Sequence, residues 1–185
     1  MSTTDDLIKT YSGIFGNLMV ARNRNGKTVM VIPKKRITTT PTVNQARVRR
    51  EFSYASRYAK SAMEDAERRA AYAARARDGM SAYTMAMTDY LRPPSVDLID
   101  ASRYQGNPGE KIAVSAYDNF ELTGVILKIV DTAGELIEAG PCEFNLTTGN
   151  YDFTATVAVP DRTGVVITAI ATDTPGHTAE LSITL

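Results

Sequence analysis

Cys142 is the only thiol in this chain and His177 its only imidazole. Together they have the chemistry of a nucleophile and its base, but only if the fold sets them side by side, because no local motif joins them. His177 ends the run Asp173-Thr174-Pro175-Gly176-His177, a turn sequence in which a solvated imidazole is the plainer expectation. One cysteine and one histidine exclude an internal disulfide, a multi-cysteine metal site and a His-rich centre. Cys142 is instead expected to sit buried as a small hydrophobe. No GxSxG, Walker-type or GxGxxG run occurs, and Gly13-Ile14-Phe15-Gly16 matches none of them. Asp118, Glu121, Asp131, Glu135, Asp152, Asp161 and Asp173 fall at or near expected turns, where calcium is often held. No DxDxDG-like run gathers the roughly six to eight oxygens that calcium takes. A carboxylate pair for glycoside chemistry need only be close in space, so spacing leaves it open, and the lack of tryptophan argues against it. The expectation is a protein that is not an enzyme, with no catalytic residue, no cofactor and no metal.

Charge carries the stronger signal. The chain is neutral overall, yet residues 1–93 hold 17 Lys and Arg against 8 Asp and Glu, while residues 94–185 hold 4 against 13. The halves therefore stand at +9 and −9. Such asymmetry points to a polyanion-facing segment, or to two charged surfaces that meet. Arg22, Arg24, Lys27, Lys34, Lys35, Arg36, Arg47, Arg49 and Arg50 gather within 29 residues. Side chains of this kind neutralise phosphates and release counterions, giving salt-sensitive binding of nucleic acid. The same residues also read as the surface charge of a small domain, or as a docking face for an acidic protein. Tyr54, Tyr58, Tyr72, Tyr83 and Tyr90 have the ring faces for base stacking, but their helical spacing favours core or interface packing. Met63, Met80, Met85 and Met87 read as helix-packing residues.

The elements that must position these residues change character at Pro93-Pro94, which ends a helical region by removing two backbone donors. Before it, Asn25-Gly26 is the pair that best suits a type I′ turn, so Gly16–Arg24 and Lys27–Pro33 are expected to form a β-hairpin. A two-residue loop pairs Arg24 with Lys27, Arg22 with Val29 and Val20 with Val31. Apolar residues then fall on both faces, with Leu18, Val20, Val29 and Val31 on one and Met19, Ala21, Met30 and Ile32 on the other. Such a hairpin needs cover on both sides, or a second chain on one. Thr42 and Gln45 form a capping box opening a first helix, whose apolar stripe is Val48, Phe52, Ala55, Ala59 and Ala62. Glu64–Arg77 reads as a second helix, stopped near Gly79, and Ser81–Leu91 as a third.

After Pro94 the chain reads as strands: Val96–Ala101, Lys111–Tyr117, Gly124–Asp131, Glu135–Glu138, Tyr151–Val159, Val165–Asp173 and Ala179–Leu185. Short strands separated by regular turns are the pattern of an antiparallel β-sandwich. The expected fold class is α+β in two parts: a basic hairpin-plus-helical domain at 1–93 and an acidic sandwich at 94–185.

Two resemblances follow from particular residues. Gly16-Asn17-Leu18, Arg24-Asn25-Gly26-Lys27, Pro33 and the stretch Thr42 to Phe52, followed by Arg69-Ala70-Ala71-Tyr72, Ser81-Ala82-Tyr83 and Tyr90-Leu91, resemble a pattern in poorly characterised bacterial and prophage-associated proteins. The likeness covers roughly residues 13–93, and Thr40-Pro41-Thr42-Val43-Asn44 departs from the Asn-Pro-x-Thr-Pro run usual there. Residues 95–185 are similar to bacterial immunoglobulin-like modules, chiefly at Gly149 to Thr156 and Ala171 to Gly176. Neither resemblance carries a catalytic residue. They imply a structural or adhesive role, as a phage- or prophage-derived particle component whose partners are copies of itself or other assembly subunits. Nucleic acid bound by the Arg22–Arg50 cluster is the alternative partner. No apolar run reaches the roughly 18 residues of a membrane span, and the N-terminus lacks a signal-peptide core. Synthesis in the cytoplasm is expected, with a virion or particle as the possible destination.

Overall fold

The computed structural model describes residues 13–15, 19–24, 27–32 and 40–185. Two compact units make up the chain, Met1–Arg47 and Val48–Leu185.

In the first unit the hairpin forms in the expected register. Strands β2 (Met19–Arg24) and β3 (Lys27–Val31) pair antiparallel, with Arg24 opposite Lys27, Arg22 opposite Val29 and Val20 opposite Val31. A further strand, β1 (Gly13–Phe15), pairs with the other edge of β2, giving the order β1-β2-β3. Three residues are too few to show alternation in sequence, which is why β1 was not expected. The Asn25-Gly26 turn lies outside the described residues, as do Lys34, Lys35 and Arg36.

Helix α1 (Val43–Glu64) starts where the capping box places it. The Thr42 amide donates to Gln45 Oε1 at 3.1 Å and the Gln45 amide to Thr42 Oγ1 at 3.3 Å. Asp65 breaks the helix and caps the next one, accepting from the amides of Glu67 and Arg68. That second helix, α2, runs from Ala66 to Arg75, and α3 (Ala82–Leu91) is capped by Ser81, whose Oγ accepts from the Thr84 amide at 3.1 Å. Within the second unit Ala55, Ala59 and Ala62 of α1, Tyr72 of α2 and Met85, Ala86 and Met87 of α3 form one buried cluster. Phe120, from a loop between strands, completes it. The Pro93-Pro94 junction is thus a change of secondary structure inside this unit.

Eight strands follow in two antiparallel sheets, ordered β11-β10-β6-β7 and β4-β5-β9-β8. They are β4 (Ser95–Asp100), β5 (Lys111–Tyr117), β6 (Leu122–Val130), β7 (Leu136–Pro141), β8 (Glu143–Asn145), β9 (Asn150–Thr154), β10 (Val166–Asp173) and β11 (Thr178–Thr184). Val125, Leu127 and Ile129 of β6 and Ile167, Ala169 and Ala171 of β10 are buried in one core with Ile99, Ile112, Val114 and Phe153 of the other sheet. Period-two alternation explains this, because every second side chain leaves the same face.

β9 stops five residues short of the expected Val159. Its alternation persists in Ala155, Val157 and Val159, but the backbone bonds leave the sheet. Ala155 donates to Glu110 O, the Glu138 carboxylate takes the Thr156 and Val157 amides, and Val159 donates to Gly106 O. Gly106 has a φ of 89°, and a Cβ there would collide with the Val159 carbonyl, so only glycine admits that crossing.

Candidate functional site

Where the second unit's helices meet its strand loops, three ring-bearing and acidic side chains form a buried chain of hydrogen bonds. Helix α1 supplies Tyr58, α2 supplies Tyr72 and α3 supplies Asp89. Tyr72 Oη donates to Asp89 Oδ2 at 2.6 Å, and the Tyr58 and Tyr72 hydroxyls lie 2.7 Å apart. Tyr72 has one proton and gives it to Asp89, so Tyr58 is the donor in the second bond. Tyr72 and Asp89 are fully buried.

The Asp89 carboxyl is raised from its ordinary 3.8 to about 7, first by burial and then by the charges of Asp118 and Asp173. The Tyr72 hydrogen bond and the nearby His177 oppose the rise. Both tyrosine hydroxyls are raised from the usual phenol range, first by burial. Asp89 Oδ1 has no protein partner, and neither has Asp118 Oδ1 nor either amide atom of Asn119.

His177 was expected to be a solvated turn residue; it lies in the β10–β11 connection with its side chain 32% exposed, and the rest of the ring is engaged. Gly176, at a φ of 94°, turns the β10–β11 connection so that the Gly176 and His177 amides both reach Asp173 Oδ1, at 2.7 and 2.6 Å. His177 Nδ1 lies 3.0 Å from Asp173 Oδ2, and its ring meets Tyr90 edge-on at 4.7 Å. The imidazole is therefore braced by a fully buried carboxylate on one side and a helical tyrosine on the other. Tyr72 also stacks on Phe120, with ring centroids 4.2 Å apart. Arg75 donates to the Phe120 carbonyl at 2.7 Å and lies over its ring. These contacts tie the helices to the strand loops.

Cys142 is partly buried against the strand core, and burial pushes its thiol up to about 12, which keeps it protonated and a poor nucleophile. The loop acids mostly accept from their own turns: Asp118 from Phe120 and Glu121, Asp131 from Ala133 and Glu135, and Asp161 from Thr163.

Of the predicted basic residues, Lys34, Lys35 and Arg36 lie outside the described residues, and the others are divided between the two units. Arg22 is exposed on β2, and Arg24 and Lys27 are brought opposite each other at the hairpin end. Arg47, Arg49 and Arg50 lie on the first turns of α1, exposed. The unit boundary falls between Arg47 and Val48, so Arg49 and Arg50 belong to a different unit from the hairpin. The Tyr58–Tyr72–Asp89 chain was not found from sequence. Tyr58 and Tyr72 were read as packing residues, and Asp89, in an Ala- and Met-rich helix, was the one available signal.

The apolar stripe of α1 divides in two. Ala55, Ala59 and Ala62 are fully buried, whereas Val48 and Phe52 are 55% and 56% exposed. In the first unit, Val29 and Val31 on one face of the sheet and Met19, Met30 and Ile32 on the other are also exposed. Among the described residues no helix is long and apolar enough to cross a membrane. No family profile, curated protein or solved structure matches this chain.

Proposed function

We propose that this chain is a non-enzymatic structural and interaction protein, a subunit that assembles through its N-terminal sheet, the start of α1 and its strand module. The observation that carries this reading is the α1 stripe that continues past its buried part: Val48 and Phe52 extend the seam of Ala55, Ala59 and Ala62 and are themselves 55% and 56% exposed. Large apolar side chains exposed together mark interaction surfaces. The exposed residues on both faces of the N-terminal sheet add to it.

The strand module reads as immunoglobulin-like. Its order, β4-β5-β9-β8 with β11-β10-β6-β7, corresponds to A-B-E-D with G-F-C-C′ of that sandwich. The usual inter-sheet disulfide and tryptophan are replaced by aliphatic packing, since the chain has one cysteine and no tryptophan. With the prophage-like motifs of residues 13–93, this supports a role as a phage- or prophage-derived virion component. Light scattering of the full chain over a concentration series tests the proposal. A mass that climbs with concentration is expected, and a monomer throughout that captures no co-expressed subunit would end it.

A second reading, nucleic-acid binding, rests on the exposure of Arg22, Arg49 and Arg50. A mobility shift that is strong at about 50 mM salt and fades steeply with added salt supports it. No shift at low salt removes it.

A further inference from the structure

The strand module carries a cleft that gives its part in assembly a definite place. It opens where two ladders run out. β9 pairs with β5 only along Lys111–Val114, so Ser115–Tyr117 continue without a partner on that side. β7 pairs with β6 from Ile126 onward, and beyond it the Cys142 amide donates to Val125 O, so Leu122–Gly124 likewise continue without a partner on the β7 side. Between these ends is an open cavity of about 650 Å³, lined by Tyr117, Asp118, Phe120, Glu121, Phe144 and Tyr151 among others. Tyr117 and Phe144 are exposed, and Phe144 holds its ring 5.1 Å from Tyr151. Unpaired backbone on two strands invites an added strand. Aromatic faces beside carboxylates favour a cationic, partly apolar visitor. Arg75 is the one cation in the lining, and it is already engaged with the Phe120 carbonyl and ring.

The chain itself contains a segment of that chemistry. Among the described residues β3 ends the order β1-β2-β3. Val29, Met30, Val31 and Ile32 are exposed, and Lys34-Lys35-Arg36 follow in sequence. The two parts also carry opposite charge, +9 over residues 1–93 and −9 over residues 94–185. We propose that the β5–β6 cleft of one copy receives β3 (Lys27–Val31) of a second copy, with the basic residues Lys34, Lys35 and Arg36 following it in sequence. The inference rests on the assembly reading and names its partner. The contact joins two different surfaces, so it is heterologous and builds chains or rings in place of a closed two-fold dimer.

Two variants of the full chain test this. Glu121→Lys with Phe144→Ala alters the cleft at exposed positions, and Val29→Asp with Val31→Asp alters the strand. Circular dichroism and thermal melting confirm that each folds as the parent does. Each variant alone is expected to weaken self-association about tenfold or more. Mixed, they restore one intact strand edge facing one intact cleft, so scattering reads a one-to-one dimer that grows no further. Assembly unchanged in the cleft variant overturns the cleft and leaves the assembly reading standing. Assembly lost in the cleft variant but kept in the strand variant means that another segment or partner fills the cleft, and this also overturns the proposal. A mixture that stays monomeric argues against heterologous contact. A parent chain that is monomeric at every concentration removes both readings together.

Discussion

β3 and β10 are both rich in aliphatic residues, and they meet opposite fates. β10 alternates, so Ile167, Ala169 and Ala171 enter the core while Thr168 turns outward to meet Ser182 of β11. β3 continues an apolar run through Val29, Met30, Val31 and Ile32, all of them exposed. A strand with one apolar face is satisfied by one packed layer. A strand with two asks for a layer on each side, and the described residues of its own unit leave these side chains exposed. The same division occurs within α1, where Ala55, Ala59 and Ala62 are covered and Val48 and Phe52 are not. Covered positions hold this fold together, and the uncovered ones are those that the assembly proposal assigns to another chain.

Substitutions at the two kinds of position sharpen that difference. Leu127→Ala, at a fully buried site, is expected to lose about 2–5 kcal/mol in chemical denaturation, from lost transfer energy and a residual cavity. An effect below about 1 kcal/mol would show that the strand core is loosely packed.

Asp89 supplies the second test. Its carboxyl binds a proton more tightly folded than unfolded, since its value rises from 3.8 to about 7. Its contribution to stability is therefore fully present below about pH 4 and is lost as pH climbs through about 7. At about 1.4 kcal/mol per unit, the loss across that window is on the order of 4 kcal/mol. Asp89→Asn keeps an acceptor for Tyr72 and cannot ionise, so its stability profile is expected to be flatter between pH 4 and 7 than the parent's. Identical profiles would show that Asp89 does not titrate in this range.

Smaller effects follow. Ser81→Ala removes the α3 cap and is expected to lower stability by about 1 kcal/mol, read as a lower denaturation midpoint. Phe52→Ser, at an uncovered position, is expected to change monomer stability by no more than about 0.5 kcal/mol while reducing self-association in light scattering. A large loss of stability there would place Phe52 among the covered residues and erase the contrast.

Local chemistry was legible in the residues alone. The capping box at Thr42 and Gln45, the break at Asp65 beside the expected second-helix start, the cap at Ser81 and the hairpin register set by Asn25-Gly26 all depend on neighbours within a few positions. Alternation in β6 and β10 likewise marked which side chains would be buried, because a strand turns every second residue to one face. Other features required the tertiary structure. Tyr58, Tyr72 and Asp89 meet from three helices, and nothing in their spacing couples them. His177 could be read as a turn residue from sequence, but its seat between Asp173 and Tyr90 depends on α3 lying beside the β10–β11 turn. The α1 stripe reads as one continuous seam in sequence, and only the folded chain determines where its cover ends. Periodicity and capping are short-range properties of the backbone, whereas burial, proton affinity and exposure are set by what packs against a residue from far along the chain.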